Sequence, residues 1–184
     1  PGEGPALALA FACFFSLLSG YYVLRSVRDA MIAADGTRLI PTVFTSVFVC
    51  MLLLTPVYGA VVSRLPRRVF LPLVFTAVIV MLGVFALAFR DPLPSDWVRT
   101  AFAIFLSVMN LFTVSVFWSF LSDIFASEQA KRLYGVIAAG GTAGALAGPL
   151  VTRLLVAELG IPQLMLVSIV GYAACLGCIF GLIP

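Results

Sequence analysis

Residues 69–89 read VFLPLVFTAVIVMLGVFALAF, twenty-one consecutive positions without an Asp, Glu, Lys or Arg, with Arg67 and Arg68 before them and Arg90 after. As a helix this run is about 32 Å long, and the hydrocarbon of a bilayer is about 30 Å thick. A helix of a soluble domain keeps a polar stripe toward water, whereas here the only hydroxyl is Thr76. The stretch reads as a membrane-spanning helix, and it decides the fold class: an all-α membrane protein.

Working outward, runs of about twenty apolar residues predict helices over 6–31, 40–62, 69–89, 97–124, 133–157 and 162–183, six spans forming one transmembrane unit over 1–184. The breaks carry turn or charge signals: Asp35-Gly36, Arg64 through Arg68, Arg90 through Asp96, Ser127 through Arg132, and Gly160 with Pro162. Composition agrees, with 62% hydrophobic and 10% charged residues and a mean hydropathy of +1.16, against about 25% charged in a soluble domain. The sequence begins at Pro1 and stops at Pro184 directly after an apolar run, which sets the expectation of a piece of a longer polypeptide.

Several function classes drop out. Net charge is only +3 and the basic residues are scattered over short turns, so nucleic acid is not an expected partner. Histidine is absent, which removes the commonest metal ligand and the usual general base. The four cysteines, Cys13, Cys50, Cys175 and Cys178, lie in apolar runs, where thiols act as small hydrophobes; Cys175-x-x-Cys178 reads as packing. No metal-ligand cluster and no G-x-x-x-x-G-K-S/T loop is present, so neither a metal, a cofactor nor ATP hydrolysis is expected. The chain is not read as an enzyme.

Charge divides the spans. The third and sixth hold no Asp, Glu, Lys or Arg and are free to face lipid, while the first and fourth end in charged clusters. A charge at the bilayer centre costs about 2.5–3.5 kcal/mol on insertion scales and usually turns toward a bundle interior or a water path. Helices one and four are therefore the cavity candidates, and their places suit two successive three-helix repeats. An N-inside topology puts Arg64, Arg67, Arg68, Lys131 and Arg132 inside against Arg25, Arg28, Arg38, Arg90, Arg99 and Arg153 elsewhere; it is preferred if Arg25 and Arg28 belong to a cavity.

Gly59 through Arg68, with Arg64, Arg67 and Arg68 in a compact basic turn, resembles the loop signature of the major facilitator superfamily, with Ser63 where that signature has Asp. Gly135, Gly144, Gly148 and Pro149 have the spacing of the superfamily's antiporter motif, which departs at Thr152 and Arg153. Gly140, Gly144 and Gly148 share one helix face at small-xxx-small spacing, on which helix five would slide at an interface. Generic basic turns and plain helix packing are the alternatives.

Tyr22-Val23-Leu24-Arg25-Ser26-Val27-Arg28-Asp29, together with Phe117-Trp118-Ser119-Phe120 and Glu128 through Tyr134, resembles the nucleotide (ATP/ADP) translocase family, with Ser122-Asp123 in place of that family's Asn-Gln. The resemblance implies a 3+3 inverted-repeat half-transporter, a second six-helix half of the same polypeptide, and nucleotide exchange in which Arg28 takes part. The residues themselves also suit an anion site. Arg25 and Asp29 are one turn apart, and Arg binds phosphate or carboxylate bidentately. Tyr21, Tyr22, Trp118 and Tyr134 suit stacking or headgroup anchoring. Expected substrate contacts are thus Tyr22, Arg25, Arg28, Asp29, Trp118 and Asp123, with Glu128, Lys131 and Arg132 as loop charges.

The expectation is secondary active transport of an anionic solute by alternating access, in a bacterial inner membrane with a cytoplasmic N-terminus and lipid as the surrounding partner. The competing expectations are a drug or small-metabolite antiporter of the same fold and a non-transporting membrane module.

Overall fold

The computed structural model of the chain describes the backbone of residues 3–34, 40–64, 66–90, 95–125 and 127–182, and the side chains of these except 3, 34, 61–64, 67 and 127–131. The turn at Asp35-Gly36 and the side chains of Arg64, Arg67, Glu128 and Lys131 lie outside the described residues. Five helical elements follow one another: α1 (Glu3–Ala34), α2 (Ile40–Arg64), α3 (Arg67–Ala88), α4 (Asp96–Ile124) and α5 (Ser127–Leu182). Each contains a stretch long and apolar enough to cross a membrane. Helix is the expected outcome for such segments, because hydrocarbon offers backbone N–H and C=O groups no partner outside the chain. Their ends run past the apolar cores into charged residues such as Arg67 and Asp96, which hydropathy alone trims away. Glu128, Lys131 and Arg132, expected in a loop, fall in the first turns of α5 instead.

A straight helix of 56 residues would measure about 84 Å, nearly three bilayer cores. Element α5 is instead broken at Gly160, where φ is 73° and ψ is 177°. Glycine adopts this left-handed φ without the Cβ penalty other residues meet, and Pro162, two residues on, sits where a helix start tolerates a missing N–H. Residues 127–159 form one limb, α5a, and 161–182 a second, α5b. Separate helices over 133–157 and 162–183 were expected; the two limbs meet directly at the non-helical Gly160, with no longer loop between them.

Register against α1 gives the limbs their directions. Gly140, Gly144 and Gly148 of α5a face Phe11, Phe15 and Tyr22, and Thr152 Oγ1 donates to Val23 O at 3.4 Å, so α5a runs parallel to α1. On α5b, Ser168 Oγ donates to Gly20 O at 3.0 Å, Cys175 meets Cys13 and Gly181 faces Leu9, so that limb runs antiparallel. Helix α1 is held between the two. The glycine face of α5a is therefore taken up by the backbone of α1, and the expected sliding surface is an internal seam: a Cβ on Gly148 would stand 2.8 Å from Ser19 O.

Aromatic rings fill the rest of the core. Phe14 of α1 stacks on Phe117 of α4 with centroids 4.8 Å apart, Phe85 of α3 meets Phe102 of α4 edge-on at 5.3 Å, and Phe75 of α3 lies against Tyr172 of α5b. The third and sixth spans, read as free to face lipid, each keep one apolar face exposed, with Leu73, Val80, Val84 and Leu87 on α3 and Leu166, Val170 and Phe180 on α5b, and bury the other. Helix α3 buries Phe70, Leu71, Phe75, Val78 and Leu82, and α5b buries Leu164, Ser168, Tyr172, Cys175 and Ile179. Among the described residues, α2 buries Val43 alone. Freedom from charge permits lipid contact without requiring it, since lipid tails and leucines are equally apolar and helix shape decides which face is covered.

Candidate functional site

The last three turns of α1 bring Tyr22, Arg25, Arg28 and Asp29 together. The Arg25 guanidinium lies over the Tyr22 ring, 5.2 Å from its centroid, and Arg25 Nε is 3.5 Å from Asp29 Oδ2. Arg28 donates from Nε and Nη2 to Asp29 Oδ1 at 3.0 and 2.8 Å. Its remaining terminal nitrogen, Nη1, reaches across to α4 and donates to Ser107 Oγ at 3.0 Å, while Ser107 donates to Ala103 O. Two guanidinium groups share one carboxylate, leaving one net positive charge.

The two arginines differ in setting. The Arg28 side chain is 15% exposed, against 44% for Arg25. Arg25 matches the snorkelling arrangement in which the stem packs and the head is wet; Arg28 is held between two helices. A guanidinium has five N–H donors in a planar fork. Three of those on Arg28 are used among the described residues, leaving one on each terminal nitrogen. Arg28 also stands in the wall of a cavity of about 320 Å³, with Asp29, Ser107 and apolar residues of α1 and α2 such as Ile32, Val43 and Phe44. An apolar wall with a few converging polar groups is the usual make-up of a small-ligand site.

The other residues singled out by sequence do not join this cluster. Helices α1 and α4 run antiparallel, with Phe14 opposite Phe117 and Arg28 opposite Ser107, so Phe14 and Arg28 are about 21 Å apart along the axis. Trp118 belongs to the Phe14 end, edge-on to Phe14 at 5.2 Å and to Tyr134 at 5.3 Å. Asp123 is exposed and lies further still toward the α4 terminus. Tyr21 is buried and meets Tyr22 edge-on. Gly59 and Gly135 have open space around them, in contrast to Gly144 and Gly148; Pro149, Arg68 and Arg132 are exposed.

Sequence reading missed Ser107, the α4 partner of Arg28. A faint signal exists: Ser107, Asn110 and Thr113 stand at i, i+3, i+6 in an otherwise apolar run, which lays them along one helix face. Among the described residues no three His, Cys, Asp or Glu side chains are grouped as a metal site. Comparison of the chain with protein-family models, with curated proteins and with solved structures finds no match in any of the three.

Proposed function

We propose that this chain is one six-crossing half of a secondary transporter of major facilitator type, related to nucleotide translocases, which moves a small anionic solute by alternating access. The crossings of this reading are α1 to α4 and the two limbs of α5. A second half of the same polypeptide completes the path, and the bundle sits in a bacterial inner membrane with its N-terminus cytoplasmic. One observation carries the anion: Arg28, half-buried between α1 and α4, has two N–H donors unused among the described residues and stands in the wall of a 320 Å³ cavity. Charge-assisted bonds of this kind are stronger than neutral ones, and the single net positive charge favours an anion over a cation.

A second reading, a drug or small-metabolite antiporter of the same fold, draws on the pairing of Asp29 with both arginines. A carboxylate that bridges two guanidinium groups suits gating as well as binding. The deciding experiment is counter-exchange of labelled nucleotides, phosphate and organic anions in proteoliposomes. Arg28→Ala is expected to lower exchange of the accepted anion about 10- to 100-fold, the worth of a hydrogen bond to a charged group, with Arg28→Lys intermediate and both variants monodisperse. Undiminished anion exchange in Arg28→Ala overturns the anion reading in favour of the second.

A further inference from the structure

We infer that Cys13 and Cys175 are a disulfide-forming pair inside the membrane, a covalent modification site that staples α1 to α5b. The two Sγ atoms are 2.7 Å apart, both side chains are 0% exposed, and neither cysteine is bonded to another. Heavy atoms in simple contact stay at about 3.5–4.0 Å, and a bond would bring the sulfurs to about 2.05 Å. The separation is closer to the bonded arrangement than to packing. It is set by the neighbouring backbone: Ser168 Oγ holds Gly20 O at 3.0 Å, and a Cβ on Gly171 would stand 3.2 Å from Ser16 O and 3.4 Å from Gly20 Cα. Neither helix can withdraw without opening this seam.

Cys175 and Cys178, the two cysteines nearest in sequence, are not the pair. Both are on α5b, and helical neighbours three apart have Cβ atoms about 5–6 Å apart, beyond the roughly 3.5–4.5 Å a disulfide needs. Cys50 is on α2. The partner of Cys175 is thus on another helix, 162 residues away in sequence.

The oxidant is a lipid-soluble two-electron acceptor, a quinone, which takes the electrons when the α1–α5b seam opens. The two S–H bonds break, one S–S bond forms, and both electrons and both protons pass to the quinone, which leaves as the quinol. Once made, the bond fixes the helix that carries Arg25 and Arg28 against α5b; this inference stands whether or not the chain transports an anion.

The test uses the whole chain in liposomes, treated with a fully substituted ubiquinone analogue or, under air, with membrane-permeant copper–phenanthroline, then denatured, alkylated with a maleimide and mapped by mass spectrometry. Alkylation of all four cysteines before oxidation should fall to Cys50 and Cys178 alone, with a peptide linking Cys13 to Cys175 and reversal by dithiothreitol. Cys13→Ser should abolish the loss and Cys50→Ser should leave it unchanged. If Cys13→Ser does not fold, the peptide map of the unsubstituted chain decides. Four alkylated cysteines after both treatments, or a link between Cys175 and Cys178, overturns the assignment.

Discussion

Helices α1 and α2 are both apolar enough to cross a membrane, yet 44% of the apolar window of α1 is buried against 6% of that of α2. Hydropathy does not separate them. Shape does: α1 meets the bare glycine face of α5a on one side and Gly171 of α5b on the other, so that its backbone, and not its side chains, sets the contact distance. Helix α2 turns Phe44, Phe48, Leu52 and Leu53 outward, each at least 63% exposed, and its glycine, Gly59, has nothing within 4 Å. Without a hydrophobic drive between helices in lipid, close backbone approach and interhelical hydrogen bonds supply what association there is. The difference teaches that, of these two helices, the one carrying more charged residues is the more enclosed.

The sharpest way to break the contrast is Gly144→Leu. Its Cβ would press on the backbone carbonyl of Phe15, which has no free rotamer with which to yield, and overpacking of this kind costs about 3 kcal/mol or more. Loss of a cooperative melt and of monodispersity in detergent is the expected result; a wild-type melt would mean α1 and α5a are not packed as described. Ser168→Ala removes the hydroxyl that reaches Gly20 O across the α1–α5b seam. Stability should fall by about 0.6 kcal/mol, the average of measured interhelical hydrogen bonds in membranes, and denaturant titration resolves it as a small shift in midpoint. Smallest of all should be Leu53→Ala on α2, which exchanges one exposed side chain for another and should stay within about 0.5 kcal/mol. A cost rivalling that of Gly144→Leu would show that α2 has a partner face after all.

Part of the cluster at the end of α1 was readable in advance. Tyr22, Arg25 and Asp29 fall at i, i+3, i+7, so their proximity follows from helical spacing. Ser107 was not readable, because its meeting with Arg28 depends on the register of α4 against α1, which the aromatic stack of Phe14 on Phe117 fixes about four turns away along α1. For the same reason Trp118 and Asp123, close to the cluster in the motif, are distant from it in space. Gly140, Gly144 and Gly148 announced a close approach through their spacing, but nothing in that spacing names α1 as the helix approached.

By itself, the sequence determined that this chain is helical and membrane-bound, where its apolar runs lie, and that α5 must break near Gly160, because hydrocarbon forces internal hydrogen bonding and bilayer thickness limits each run. Only the tertiary structure decided which helix is central, which face of each is covered, and which distant residues meet: Arg28 with Ser107, and Cys13 with Cys175. Among equally apolar surfaces those choices rest on interlocking shape, which composition does not encode.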